Sequence, residues 1–253
     1  MKNFHKLLIA MGLTGLSITA ACNRFPLGGC IEGNGEVITE NRTLEPFHSI
    51  VVDGRMDVRL AQAGEQSLKL QAEANLLPII TTTIQNGVLT ISSKESYCTT
   101  KGVTVFATMP EVRSVAIEGS GDVAAEGVIV AGAAPSTGAA ASGKLTFSID
   151  GSGSISVPVQ SDELTASIGG SGDVFLKGNS RAFSGEINGS GNIMAAELQT
   201  QQCSIAINGS GDASVSAANE LRVTINGSGD VVYAGNPPIL RTTINGSGDV
   251  RKR

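Results

Sequence analysis

Phe183-Ser184-Gly185-Glu186-Ile187-Asn188-Gly189-Ser190-Gly191-Asn192-Ile193 is answered further along the chain by Cys203-Ser204-Ile205-Ala206-Ile207-Asn208-Gly209-Ser210-Gly211-Asp212-Ala213. The same frame runs through the second half of the 253 residues. A Gly-Ser-Gly tripeptide begins at Gly119, Gly151, Gly170, Gly189, Gly209, Gly227 and Gly246, at intervals of 32, 19, 19, 20, 18 and 19 residues. Isoleucine stands two residues before each tripeptide, at Ile117, Ile149, Ile168, Ile187, Ile207, Ile225 and Ile244. Four residues earlier come Arg113, Leu145, Leu164, Phe183, Cys203, Leu221 and Leu240. Beyond the tripeptide, after one polar residue, come Val123, Ile155, Val174, Ile193, Ala213, Val231 and Val250. Alternate positions therefore share a face on both sides of the glycines, which is the period of a strand. Each unit reads as strand, glycine corner, strand.

Fixed periods of this size signify stacked supersecondary units. Two all-β architectures accommodate them. In a parallel β-helix, or solenoid, each repeat of ~19 residues makes one turn and like residues stack in columns about 4.8 Å apart. In an antiparallel meander each tripeptide is a hairpin, and Asn188-Gly189, Asn208-Gly209, Asn226-Gly227 and Asn245-Gly246 are hairpin-type dipeptides. The recurrence of near-identical residues at every unit favours the solenoid, because column stacking demands it and a meander does not.

The chain thereby divides into four parts: a leader at 1–21, a tether at 22–35, a non-repetitive, irregular β region at 36–113 and the repeat array at 114–253. The region at 36–113 alternates in short stretches broken by Ala63-Gly64-Glu65 and by Asn86-Gly87, the latter a hairpin signal. A short helical turn is expected near Glu73–Leu77. The insertion from Ala124 to Lys144, rich in Ala, Gly and Ser, either loops out or pads the array. The ending Val250-Arg251-Lys252-Arg253 places charge where it blunts a strand edge, with contact to anionic head groups as the other reading.

Residues 1–21 read as an export signal: Lys2 and Lys6, an apolar run from Leu7 to Ile18, then small residues. Ile18-Thr19-Ala20-Ala21-Cys22 resembles a bacterial lipobox, in which Cys22 is acylated and anchors the mature chain. With Cys22 lipidated, Cys30, Cys98 and Cys203 remain, an odd number for an exported protein. Cys203 falls in a column otherwise filled by Leu and Phe and reads as a buried thiol, which leaves Cys30 and Cys98 as the disulfide.

Chemistry is thin elsewhere. A net charge of −5 without a basic run argues against nucleic acid. Two histidines are present, and His5 lies in the leader, so His48 is the sole mature candidate for histidine chemistry and reads as a surface or edge residue. The column Asp122, Ser154, Asp173, Asn192, Asp212, Asp230 and Asp249 suggests calcium at first sight, but its spacing is wrong for that repeat motif and Ser154 and Asn192 interrupt it. Acceptance of backbone N–H groups at a turn is the better reading, so no metal site is assigned. The four Asn-Gly-Ser sequons all lie in the corner and read as turn chemistry. No phosphate loop or nucleotide fingerprint is present, no cofactor is implied, and aromatic platforms for sugar are scarce. An enzyme is disfavoured.

Gly33-Asn34-Gly35-Glu36-Val37, Phe47-His48-Ser49-Ile50, Leu89-Thr90-Ile91, the Gly-Ser-Gly-Asp units and Val232-Tyr233-Ala234-Gly235-Asn236-Pro237 resemble the head-GIN-domain auto-transporter adhesin family over roughly residues 33–250. The resemblance implies an exported, all-β protein with parallel β-helix character and an adhesive role, and offers no catalytic residues. A translocating C-terminal barrel does not fit after Asp249, and Asn23-Arg24-Phe25 lacks the acidic run linked to surface export. The expectation is therefore a non-enzymatic, lipid-anchored outer-membrane or cell-envelope protein, on the surface or periplasmic face, binding an extracellular glycan or protein. The alternative is a periplasmic scaffold that assembles through the ends of its array.

Overall fold

The computed structural model describes residues 29–132 and 143–253. The leader, Cys22 and the middle of the insertion lie outside the described residues. The described chain is all-β: one curled sheet of 19 strands, a two-stranded sheet, and a single 3-10 turn at Leu77–Ile79, which begins at the last residue of the stretch Glu73–Leu77 where a helical turn is expected.

The pairing follows the sequence repeat. Strands that lead into a corner pair with one another, and strands that trail out of it do the same. In the leading row Ser114–Gly119 pairs with Lys144–Gly151, which pairs with the second half of Ser154–Ile168. The second halves of Asp173–Ile187 and Asn192–Gly209 follow, then Glu220–Gly227 and Ile239–Gly246. In the trailing row Asp122–Ala125 pairs with the first half of Ser154–Ile168, and the row runs on to Ala213–Ser216, Val231–Ala234 and Val250–Lys252. Every one of these pairings is parallel. Leu145 lies beside Leu164, Leu164 beside Phe183, Phe183 beside Cys203, Cys203 beside Leu221 and Leu221 beside Leu240, so the register advances by the sequence interval. The strands on either side of a tripeptide pair with neighbouring units and not across the corner, so the hairpin pairing of a meander does not occur.

Antiparallel pairing is confined to the N-terminal region. Val37–Arg42 pairs with Ser67–Glu73, and Ser67–Glu73 with Thr104–Met109. Ile80–Gln85 and Val88–Ser93 form the hairpin at Asn86-Gly87, where φ is 52° and 75°; positive φ at both central residues is what a type I′ turn requires. The parallel register nevertheless crosses from this region into the array. Ser49–Gly54 lies beside Ser114–Gly119 and Asp57–Gln62 beside Asp122–Ala125, which stacks Gly54 on Gly119. The unit Ser49–Gln62 thus has the shape of a repeat, although Gly54-Arg55-Met56 stands where Gly-Ser-Gly would.

Both rows feed one continuous hydrophobic cluster. Ile149, Ile168, Ile187, Ile207 and Ile225 are buried from the leading row, and Ile155, Val174, Ile193, Ala213 and Val231 from the trailing row. Each fully buried Val, Leu or Ile contributes about 1.5–3 kcal/mol relative to exposure, so the columns carry the stability of the array. Arg113 departs from its expected column: it precedes the strand, is exposed, and pairs in solvent with Glu111. In the insertion Ile129–Val130 pairs with Val159 and Gln160, and Ile129 and Ala131 are buried, so this part pads the array.

Candidate functional site

At the corners two neighbouring backbones come into contact. The first glycine of the tripeptide has φ of 150° at Gly151, and a Cβ there would lie 2.0 Å from the Gly119 carbonyl oxygen. A Cβ on Gly153 would lie 2.0 Å from the Gly121 oxygen. Glycine is required at both ends of the tripeptide because the preceding unit occupies the space of any side chain. The serine between them keeps the backbone ladder unbroken: the N–H groups of Ser152, Ser171, Ser190, Ser210, Ser228 and Ser247 donate to the carbonyls of Gly119, Gly151, Gly170, Gly189, Gly209 and Gly227 at 2.8–2.9 Å.

The polar residues beside the corner form two further ladders. Asp122 Oδ1 accepts the N–H and hydroxyl of Ser154 at 2.9 and 2.7 Å. Asp173 Oδ1 accepts from the backbone and side-chain nitrogens of Asn192, and Asn192 Oδ1 from the Asp212 N–H. Asp212 and Asp230 accept from the N–H groups of Asp230 and Asp249 at 2.8 and 2.9 Å. The column is interrupted once, where the Asp173 N–H donates to the Gly153 carbonyl and not to Ser154. On the other side of the glycines the Nδ2 groups of Asn208, Asn226 and Asn245 donate to Oδ1 of Asn188, Asn208 and Asn226 at 2.8–2.9 Å. The Asp and Asn side chains singled out by the sequence are thus engaged in joining one unit to the next. Among the described residues no group of three or more His, Cys, Asp and Glu is placed to hold a metal ion.

The cysteines and the histidine have defined places. Cys30 and Cys98 are joined by a disulfide, with Cα atoms 5.5 Å apart and a sequence separation of 68. The bridge fastens Ile31–Glu32, which pairs with Tyr97–Cys98, to a loop standing where Val88–Ser93 and Thr104–Met109 would otherwise meet at a corner. Buried Glu73 reinforces the clamp: Oε1 accepts the Gly35 N–H at 2.7 Å, and Oε2 accepts the Thr99 hydroxyl. Cys203 is a free, buried thiol whose pKa burial pushes up to about 12, so it is neither nucleophile nor thiolate ligand at neutral pH. His48 Nδ1 lies 3.0 Å from the Ser49 hydroxyl, but Ser49 is buried and the imidazole packs on Gly87.

One surface was not anticipated. On the outer side of the trailing row, in Asp173–Ile187 and Asn192–Gly209, the register shifts between Phe175 and Lys177, where Met194-Ala195-Ala196-Glu197 supplies one residue more than its neighbour. This bulge sits beside Phe175 and Met194, 42% and 40% exposed, over an open depression of about 240 Å³ edged by Ser156, Lys177, Glu197 and Ser214. The Ser214 hydroxyl donates to the Met194 sulfur at 3.5 Å. A phenylalanine following Asp173-Val174 is by alternation an outward residue; that parity was the sequence signal for an exposed aromatic.

The fold has solved counterparts. An adhesin-like protein of Bacteroides fragilis NCTC 9343, described as a putative adhesin, superposes with a TM-score of 0.80 at 21% identity, covering 88% of this chain and 100% of its own. A putative lipid binding protein of Parabacteroides distasonis ATCC 8503 gives 0.65 at 24%, covering 89% and 100%. A putative adhesin of Parabacteroides merdae ATCC 43184 gives 0.64 at 22%, covering 88% and 98%. No curated protein matches the sequence. The family model described as putative auto-transporter adhesin, head GIN domain, matches residues 46–237. By that match, over most of its length, the chain belongs to the head GIN domain family of putative auto-transporter adhesins.

Proposed function

We propose that this protein is a non-enzymatic binding module of the bacterial cell envelope, an adhesin built as a parallel β-solenoid and carried on a lipid anchor at Cys22. The observation that carries the reading is the disposition of polar side chains. In-register parallel strands hold rows of outward residues at fixed spacing on a rigid core, which suits recognition of an extended or repetitive ligand. The adhesin description of the family supports the same class. The signal-like leader and lipobox support envelope placement; among the described residues no helix is long and apolar enough to cross a membrane.

Two experiments test this reading. Labelling of the chain by radioactive palmitate, lost in Cys22→Ala, is the expected result for anchoring; unchanged labelling of the variant would refute the lipobox. Protease shaving of intact cells separates outward presentation, in which the chain is cut, from a periplasmic face, in which it is spared until the outer membrane is opened.

A second reading, assembly through the end of the array, is favoured by the exposed Ile239, Leu240 and Ile244 on Ile239–Gly246. Against it, Val250–Lys252 brings Arg251 and Lys252 to the same end, where like charges of two copies would meet. Sedimentation that stays monomeric as concentration rises is expected, and concentration-dependent association would favour the scaffold.

A further inference from the structure

The geometry points to a glycan site on the outer face of the trailing strands, centred on Phe175 and extending along the strand to Asn179. This deepens the adhesin reading and rests on it. Phe175, Lys177 and Asn179 are exposed beside buried Val174, Leu176 and Ser180, and Gly178, at φ 108°, turns the chain between Lys177 and Asn179. Beside them, one strand away, stand Met194, Glu197 and Gln199, paired in register with Phe175, Lys177 and Asn179. The six side chains present an apolar step, then a cation and an anion, then two amides.

These polar groups are unspent. The corner asparagines bond to one another at 2.8–2.9 Å. By contrast, among the described residues, Asn179 and Gln199 make no such ladder, although they lie on paired strands with Gln160 on the far side of Asn179. Lys177 and Glu197 are direct neighbours of opposite charge, yet they form none of the ion pairs found among the described residues. An amide offers two donors and an acceptor, ammonium offers donors alone and carboxylate acceptors alone. Together they match the mixed donor and acceptor character of sugar hydroxyls, while the exposed ring of Phe175 with the Met194 thioether supplies a flat apolar surface for the C–H face of a pyranose.

Competing ligand classes fit less well. An acyl chain needs an enclosed apolar cavity that buries most of its surface, whereas this depression is open and rimmed by Ser156, Lys177, Glu197 and Ser214. A peptide adding as a strand needs a free sheet edge, and Asp173–Ile187 is paired on both sides. A second depression, of about 420 Å³ and edged by Gln160, Asn179 and Gln199, lies beyond the turn at Gly178 and offers polar side chains to a further ring of an oligosaccharide.

The test compares the full chain in detergent with Phe175→Ala, Asn179→Ala/Gln199→Ala and, on the leading face, Thr224→Ala. The probes are an array of bacterial and mucin-type glycans, vesicles of phosphatidylethanolamine and phosphatidylglycerol, and immobilised collagen and fibronectin. The site is supported by glycan capture that falls at least tenfold in Phe175→Ala and severalfold in the amide double variant, with Phe175→Tyr and Thr224→Ala unchanged. Capture that survives Phe175→Ala overturns the site while leaving the adhesin reading intact. Binding to vesicles or matrix protein that depends on Phe175, without glycan capture, overturns the ligand class alone. Failure of the wild-type chain on all three probes overturns both the site and the adhesin reading.

Discussion

The unit Ser49–Gln62 and the unit around Gly209 have the same strand–corner–strand form and belong to one parallel register, yet only the second is visible as a sequence repeat. The difference lies in what each corner touches. A Cβ on Gly209 would lie 2.1 Å from the Gly189 carbonyl oxygen, whereas a Cβ on Gly54, at the same place in its unit, would meet nothing nearer than the Met56 methyl at 3.6 Å. In the array the corner sits directly on another corner, and side chains are excluded. At Gly54 the neighbour on the far side is the loop carrying Cys98, and the restriction is lifted. The lesson is that stacking needs alternation in the strands, while identity of the corner residues is needed only where corner stacks on corner.

The largest expected effect breaks this comparison at its strongest point. Gly209→Ala should destabilise the chain by about 3 kcal/mol or more, since a rigid backbone oxygen must move in addition to the strain of a φ of 156°; Gly54→Ala, with φ of 127° and space around it, should cost about 1–3 kcal/mol from backbone strain alone. Denaturant titration of both variants checks the ranking, and equal losses would show that corner contact is not the discriminating factor.

Next in size is the clamp that replaces a corner. Removing the Cys30–Cys98 bridge in Cys98→Ala should cost about 2–4 kcal/mol, because a loop closed across a sequence separation of 68 is released in the unfolded chain. If the clamp serves the N-terminal region alone, hydrogen exchange should rise in Ile31–Glu32 and Val37–Arg42 and remain slow in Asn192–Gly209.

Much of this could be read from the residues. The all-β class, the alternation and the hairpin at Asn86-Gly87 follow from local rules that tertiary structure did not override. The burial of Cys203 follows from its column. What could not be read was the reach of the register into residues 49–62, since Gly54-Arg55-Met56 keeps one glycine of the motif and the rest of that unit is ordinary strand. The outer face around Phe175 was also obscured: one aromatic in a chain with few invites a core assignment, and the bulge beside it comes from one residue more in Met194-Ala195-Ala196-Glu197 than in its neighbour. That difference shows only when paired strands are laid side by side.

Smaller effects sharpen the account of the ladders. Asp212→Ala should cost about 1 kcal/mol by orphaning the Asp230 N–H at a partly solvated corner. A chelator should leave the melting temperature unchanged, and a large drop would restore the calcium reading of the column. Cys203 supplies a pH signature. Its folded pKa is raised above the unfolded value, so its contribution is fully present below the unfolded thiol's pKa near 9 and is lost as pH rises toward about 12. Stability measured from pH 8 to 11 should therefore fall in the wild type more steeply than in Cys203→Val, and the native thiol should resist alkylation until the chain unfolds.

The most direct test of the central claim, parallel stacking of one repeat on the next, is a pair of engineered crosslinks. Ser184 and Ser204 are register partners on adjacent parallel strands and are exposed or outward-facing. Oxidation of Ser184→Cys/Ser204→Cys should join those two positions under native conditions, read by mass spectrometry of non-reduced peptides, and denaturant before oxidation should abolish the bond. A hairpin folded about Asn188-Gly189 would instead bring Ser184 beside Ile193. Efficient native crosslinking in Ser184→Cys/Ile193→Cys, with none between 184 and 204, would contradict the stacked array.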